Sequence, residues 1–80
     1  MKLPRNLDAK DLIKSLSQYG YFVTRQTGSH IRLTSTRKGE HHLTIPNHSP
    51  LKTGTLSAII QSVATHFEKP KQEIIDELFS

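Results

Sequence analysis

Apolar residues recur along this chain with two different periods, and each change of period marks an element. Ala9, Leu12, Ile13 and Leu16 follow helical spacing behind Asp8, a good N-cap residue, and Gly20 stands where such a helix stops. Lys10 and Lys14 fall on its outward side. Three β-rich runs come next, at 21–25, 29–36 and 40–45, divided by a turn at Gly28 and another at Arg37-Lys38-Gly39. Turns of that length make two antiparallel hairpins in a meander. Pro46 ends the third run, and Asn47-His48-Ser49-Pro50 reads as loop. From Thr55 onward, Leu56, Ile59, Ile60, Val63 and Phe67 form one face of a helix. A last helix, with Pro70 at its first position, carries Ile74, Ile75, Leu78 and Phe79. The order α-β-β-β-α-α predicts an α+β fold, a three-stranded antiparallel sheet with helices on one face and the other face open.

Alternation within the strands sorts the side chains. Ile31 and Leu33 must point to the helices, which turns His30, Arg32 and Thr34 to the open face. Leu43 and Ile45 likewise point inward and leave His42 and Thr44 outside. His30 and His42 therefore share the open surface, with Arg32 between or beside them. Their separation depends on register, which alternation leaves open.

Eighty residues without an internal repeat make one domain, spanning 1–80. A chain this short buries only roughly 60% of its unfolded surface. It has no cysteine, so neither a disulfide nor a thiolate metal site reinforces its core, as suits a reducing compartment. Residues 1–6 hold no apolar run of the leader type and no later stretch is long enough to span a bilayer, so the expected location is the cytoplasm. The net charge of +4 is unevenly spread. Residues 1–67 hold nine Lys and Arg against three acidic residues, and 68–80 hold two against four. All five histidines lie in the basic part. A basic excess confined to one region points to a phosphate-bearing partner, although solubility alone explains such a composition equally well.

The stretch YFVTRQTGSH, residues 21–30, carries the most chemistry. It sets His30 beside Arg25 and a tight glycine turn, holding the imidazole on a hairpin edge where a catalytic or phosphate-facing group belongs. Gly28 suits a positive φ, and Ser29 suits closure of the turn through a local hydrogen bond. Further on, Lys52-Thr53-Gly54-Thr55 precedes a helix, so its backbone N–H groups and the lysine make an anion site, or else simply a cap and a turn. The histidines show no zinc-like spacing: His41 and His42 point to opposite faces, while His48 and His66 lie in different elements. His48 reads as a loop-capping residue, and Arg37-Lys38 as a solvated hairpin tip.

The α-β-β-β-α order is that of the double-stranded-RNA-binding domain. The motifs KLPR (2–5), GY (20–21), RQTGSH (25–30), IPNH (45–48), LKTGTL (51–56) and the final EIIDELF helix together resemble the HicA family of toxins. The resemblance implies a messenger-RNA interferase with a double-stranded-RNA-binding-domain-like fold, His30 as the catalytic residue, and a HicB-type antitoxin partner covering it. Expected RNA contacts are Arg25, Gln26, Gly28, Ser29, Arg32 and Lys52; Gln26 has no role from first principles and enters with the motif. No cofactor and no metal are expected.

Chemistry independently suits this reading. RNA cleavage through the neighbouring 2′-hydroxyl needs a group that takes its proton and others that shield the phosphorane. An imidazole titrating near neutrality and a guanidinium serve these ends. His42 is a candidate second acid–base group by strand geometry only. The alternatives are a non-catalytic RNA-binding module of the same fold, or a degenerate member kept as a protein-interaction partner.

Overall fold

The first helix, α1 (Ala9–Leu16), starts behind Asp8, whose backbone is extended and whose carbonyl accepts the Leu12 N–H at 3.1 Å. The Asp8 carboxylate makes no cap bond and instead accepts the Ser49 hydroxyl proton. This computed structural model describes residues 2–79. A 3₁₀ turn, Ser17–Tyr19, tightens the end of α1, and Gly20 reverses the chain at φ 80°. A Cβ at Gly20 would also lie 2.7 Å from Arg37 Nε, so both the conformation and the close approach call for glycine.

Three antiparallel strands follow in the order β1 (Phe22–Thr27), β2 (His30–Ser35), β3 (His41–Pro46). The first runs two residues beyond its predicted end. Gly28, at φ 56°, and Ser29 form a two-residue loop that lets Thr27 pair with His30. Helix α2 (Thr53–Phe67) begins two residues before its expected start at Thr55, with Lys52 as N-cap, its carbonyl accepting the Leu56 N–H at 2.9 Å. Helix α3 (Lys71–Phe79) begins one residue after Pro70, whose carbonyl accepts the Glu73 and Ile74 N–H groups at 3.0 and 3.3 Å. Pro70 is thus the cap rather than the first helical residue, a place equally suited to a residue without an N–H.

The helices cover one face of the sheet. Leu12 and Leu16 of α1, Leu33 and Ile45 of the sheet, Leu56, Ile60 and Val63 of α2 and Ile74 of α3 are fully buried in a single core. Helix α1 packs on β1, α2 on β3, and α3 on the two other helices. Full burial of each such side chain contributes about 1.5–3 kcal/mol. The fold is the predicted α+β arrangement.

The Arg37-Lys38 tip is exposed, as expected from its charge, but its cations are not free. The Arg37 guanidinium lies across Gly20 and donates to the Gln18 carbonyl at 2.8 Å. The Lys38 ammonium donates to the Phe67 carbonyl at 3.4 Å and to the Glu68 carboxylate at 2.8 Å. Both cations tie the β2–β3 hairpin to helix ends.

Candidate functional site

Pairing between β1 and β2 positions the open face. Thr27 lies opposite His30, Gln26 opposite Ile31 and Arg25 opposite Arg32; beyond a shift in register, Val23 lies opposite Leu33 and Phe22 opposite Thr34. Thr24 is the extra residue of a β-bulge. Its effect on chemistry is direct. Val23 shares the helix side with Leu33, and simple alternation would send Arg25 the same way. One inserted residue moves Arg25 to the open face, opposite Arg32.

On the other side of β2, Pro46 lies opposite His30, Thr44 opposite Arg32 and His42 opposite Thr34. The open face therefore consists of three rows: Thr27-His30-Pro46, Arg25-Arg32-Thr44 and Phe22-Thr34-His42. Five residues of the first two rows, Arg25, Thr27, His30, Arg32 and Thr44, line an open, shallow cavity of about 190 Å³. His30 and Arg32 stand two residues apart on one face, roughly 6.6 Å along the strand.

The electrostatics of this cavity are one-sided. Arg25 and Arg32 are directly opposed like charges, an arrangement that destabilises a strand pair unless something neutralises it. Both are exposed, and among the described residues neither guanidinium has a carboxylate partner. Among the described residues no carboxylate lines the cavity. Such a site favours an anion with several acceptor oxygens.

The loops hold the histidine in place. The Gly28-Ser29 turn sets the start of β2, and the Asn47 N–H donates to the Ser29 carbonyl at 2.6 Å. The Asn47-His48 loop is fixed further by the His48 carbonyl, which accepts the Ala9 N–H at 3.4 Å.

The cavity brings together His30, Arg25 and Arg32 of the expected residues. It leaves out Gln26, which pairs on the Ile31 side of the strand, and Gly28, Ser29 and Lys52, which sit at the turn and at the start of α2. Thr27 and Thr44 line it and were missed as site residues. Alternation had already turned Thr44 outward, and a two-residue reading of the Gly-Ser loop would have carried β1 to Thr27.

His42 does not stand near His30. The register sets them four residues apart along β2, roughly 13 Å. Both His42 nitrogens are engaged, Nδ1 with the Thr34 hydroxyl at 2.8 Å and Nε2 with the Glu40 carboxylate at 3.0 Å. It is therefore not in reach as the second acid–base group of the cavity. His41, as expected, points to the opposite face. Among the described residues no group of three or more His, Cys, Asp or Glu could hold a metal ion.

The structure is thus an α+β domain with one uncovered sheet face, and that face bears a cationic cavity lined by no carboxylate among the described residues. Residues 9–64 match the family model described as the HicA toxin of bacterial toxin–antitoxin systems, a match that includes every residue of the cavity. The chain belongs to the HicA toxin family. No curated protein and no solved structure matches it. No helix among the described residues is long and apolar enough to cross a membrane.

Proposed function

We propose that this chain is the toxin of a toxin–antitoxin pair and that it cleaves messenger RNA as a metal-independent endoribonuclease, with His30 as the acid–base residue. The observation that carries the reading is the unpartnered Arg25–Arg32 pair beside His30 in a cavity free of carboxylates.

A scissile phosphate held between the guanidinium groups accepts their N–H donors and offsets their mutual repulsion. His30, one residue pair further along the face, takes the 2′-hydroxyl proton. The 2′-oxygen attacks phosphorus, and the charge growing on the phosphoryl oxygens is shielded by Arg25 and Arg32. The 5′-oxygen leaves and recovers a proton from water. Thr27 and Thr44 offer hydroxyls to the same anion. A lining of guanidinium, imidazole and hydroxyl groups is a poor donor set for Mg²⁺ or Ca²⁺, which take carboxylate and carbonyl oxygens.

The partner in this reading is a HicB-type antitoxin that covers the His30 face and presents acidic side chains to the arginines. The test is cleavage of RNA by the purified protein in EDTA, with a 2′,3′-cyclic phosphate and a 5′-hydroxyl as products. It is joined by growth arrest on expression, relieved by the protein encoded in the adjacent gene. Salt-dependent RNA binding without any cleavage would transfer the assignment to a non-catalytic RNA-binding module.

A further inference from the structure

The third row of the open face, Phe22-Thr34-His42, is left unused by the reaction above, and its chemistry differs from that of the cavity. Phe22 is 53% exposed, whereas Tyr19, Tyr21 and Phe67 are buried. It lies opposite Thr34 on one side, with His42 opposite Thr34 on the other, so two rings flank one small side chain. Exposure of a single aromatic residue is ordinary. Its place one row from an unpartnered arginine pair is what gives it meaning.

Polar groups in this row are satisfied by one another and by the adjoining Thr24 and Glu40. The Thr34 hydroxyl bonds the Thr24 hydroxyl at 3.1 Å and His42 Nδ1 at 2.8 Å, and His42 Nε2 bonds Glu40 at 3.0 Å. Thr34 is consequently only 6% exposed, although it belongs to the open face. What remains outward is ring surface and methyl groups. The Glu40 carboxylate beside His42 also removes the positive excess found at the arginines, so this end of the face does not attract a phosphate.

We propose that Phe22 and His42, flanking Thr34, form a stacking subsite for an unpaired nucleobase next to the phosphate held by Arg25 and Arg32. The inference rests on the reading of the cavity as an RNA phosphate site. Its occupant is a base of single-stranded RNA, because only an unstacked base offers a face to a ring on a sheet surface. The two rows are roughly 6.6 Å apart along the strands, so the base belongs to a nucleotide bordering the bound phosphate. His42 is fixed by two hydrogen bonds, and its ring is therefore oriented before RNA arrives.

The chain has no tryptophan, so Phe22→Trp introduces a single emitter at the subsite. The probes are 2′-O-methyl oligoribonucleotides, which lack the attacking hydroxyl, with intact bases or with abasic positions; saturation is followed by anisotropy of a labelled strand. The expected result is quenching by the intact strand and none by the abasic one at saturation. Phe22→Ala should weaken binding of the intact strand about five-fold or more with an unchanged salt slope, and Phe22→Tyr should restore it. Unchanged emission at saturation overturns the stacking subsite. So does wild-type affinity in Phe22→Ala while Arg32→Ala binds weakly, a pattern that leaves the phosphate reading standing. Absence of salt-dependent binding by the wild-type protein removes both. Emission that responds to the antitoxin but not to the oligonucleotide assigns Phe22 to the protein partner and overturns the proposal.

Discussion

His41 and His66 stack with ring centroids 4.4 Å apart and planes within 8° of parallel, joining β3 to α2 on the covered side of the sheet. The Tyr21 hydroxyl hydrogen-bonds His41 Nδ1 at 2.6 Å, and the Ser62 hydroxyl hydrogen-bonds His41 Nε2 at 3.2 Å. His66 Nε2–H donates to the Arg37 carbonyl at 2.8 Å. Burial first, then His66 and His42, lower the pKa of His41 from 6.5. The folded protein thus binds fewer protons there than the unfolded chain just below that value, and folding stability falls as pH drops through it. Melting temperature measured from neutral to mildly acidic pH should decline, and His41→Gln should flatten the decline. An acid slope equally steep in that variant would place its origin elsewhere.

At the alkaline end, burial pushes the Tyr21 hydroxyl up to about 12. Because its folded value exceeds its unfolded one, Tyr21 contributes stability that is present below the unfolded value of 10.0 and lost as pH rises toward 12. In a spectrophotometric titration the Tyr21 phenol should ionise late, and Tyr21→Phe should remove its contribution from the late phase. A late phase unchanged in Tyr21→Phe would contradict the burial argument.

His30→Ala should leave the fold intact, since the side chain is exposed and its loss opens no core cavity; the expected stability change lies within about 0.5 kcal/mol. Affinity for an uncleavable RNA should persist, because the arginines supply the charge. Cleavage should fall by about 10²–10⁴-fold or more. Wild-type cleavage rates in this variant would dismiss His30 as the acid–base residue.

Arg25→Ala and Arg32→Ala should separate function from stability. Each removes one member of a like-charged cross-strand pair, so stability should hold or rise by a few tenths of a kcal/mol. RNA affinity should drop, with the salt slope flattening by about 0.7 per lost contact to a single strand. Lys52, outside the cavity at the α2 cap, should flatten it less when replaced by alanine. Equal slopes in all three variants and the wild type would remove the phosphate contacts.

Gly28→Val tests the turn alone. A Cβ there meets no atom within 4 Å, so the cost is that of a left-handed backbone, about 1–2 kcal/mol, without a clash. The Thr27–His30 pairing should shift and cleavage decline more than stability does. Thermal unfolding and initial rates measured side by side check this. Loss of fold equal to loss of activity would show that the turn serves stability only.

Local patterns were enough to decide the elements and the faces. Ile31, Leu33, Leu43 and Ile45 have to enter the core, and that alone puts His30, Arg32, His42 and Thr44 outside. The spacing of Leu56 to Phe67 likewise sets the buried side of α2. Pairing between strands was beyond those patterns. Every residue of β1 is exposed, so no burial period marks the bulge at Thr24, and only the paired sheet turns Arg25 toward Arg32. Register also parts His42 from His30, two residues that alternation had only assigned to a common surface. The meeting of His41 with His66, and the anchoring of Arg37 and Lys38 against helix ends, join segments distant in the chain. A chain's own hydrophobic period states which face each residue takes, because burial acts residue by residue. Which partner that residue meets depends on turns, bulges and packing between elements, and these exist only in the folded molecule.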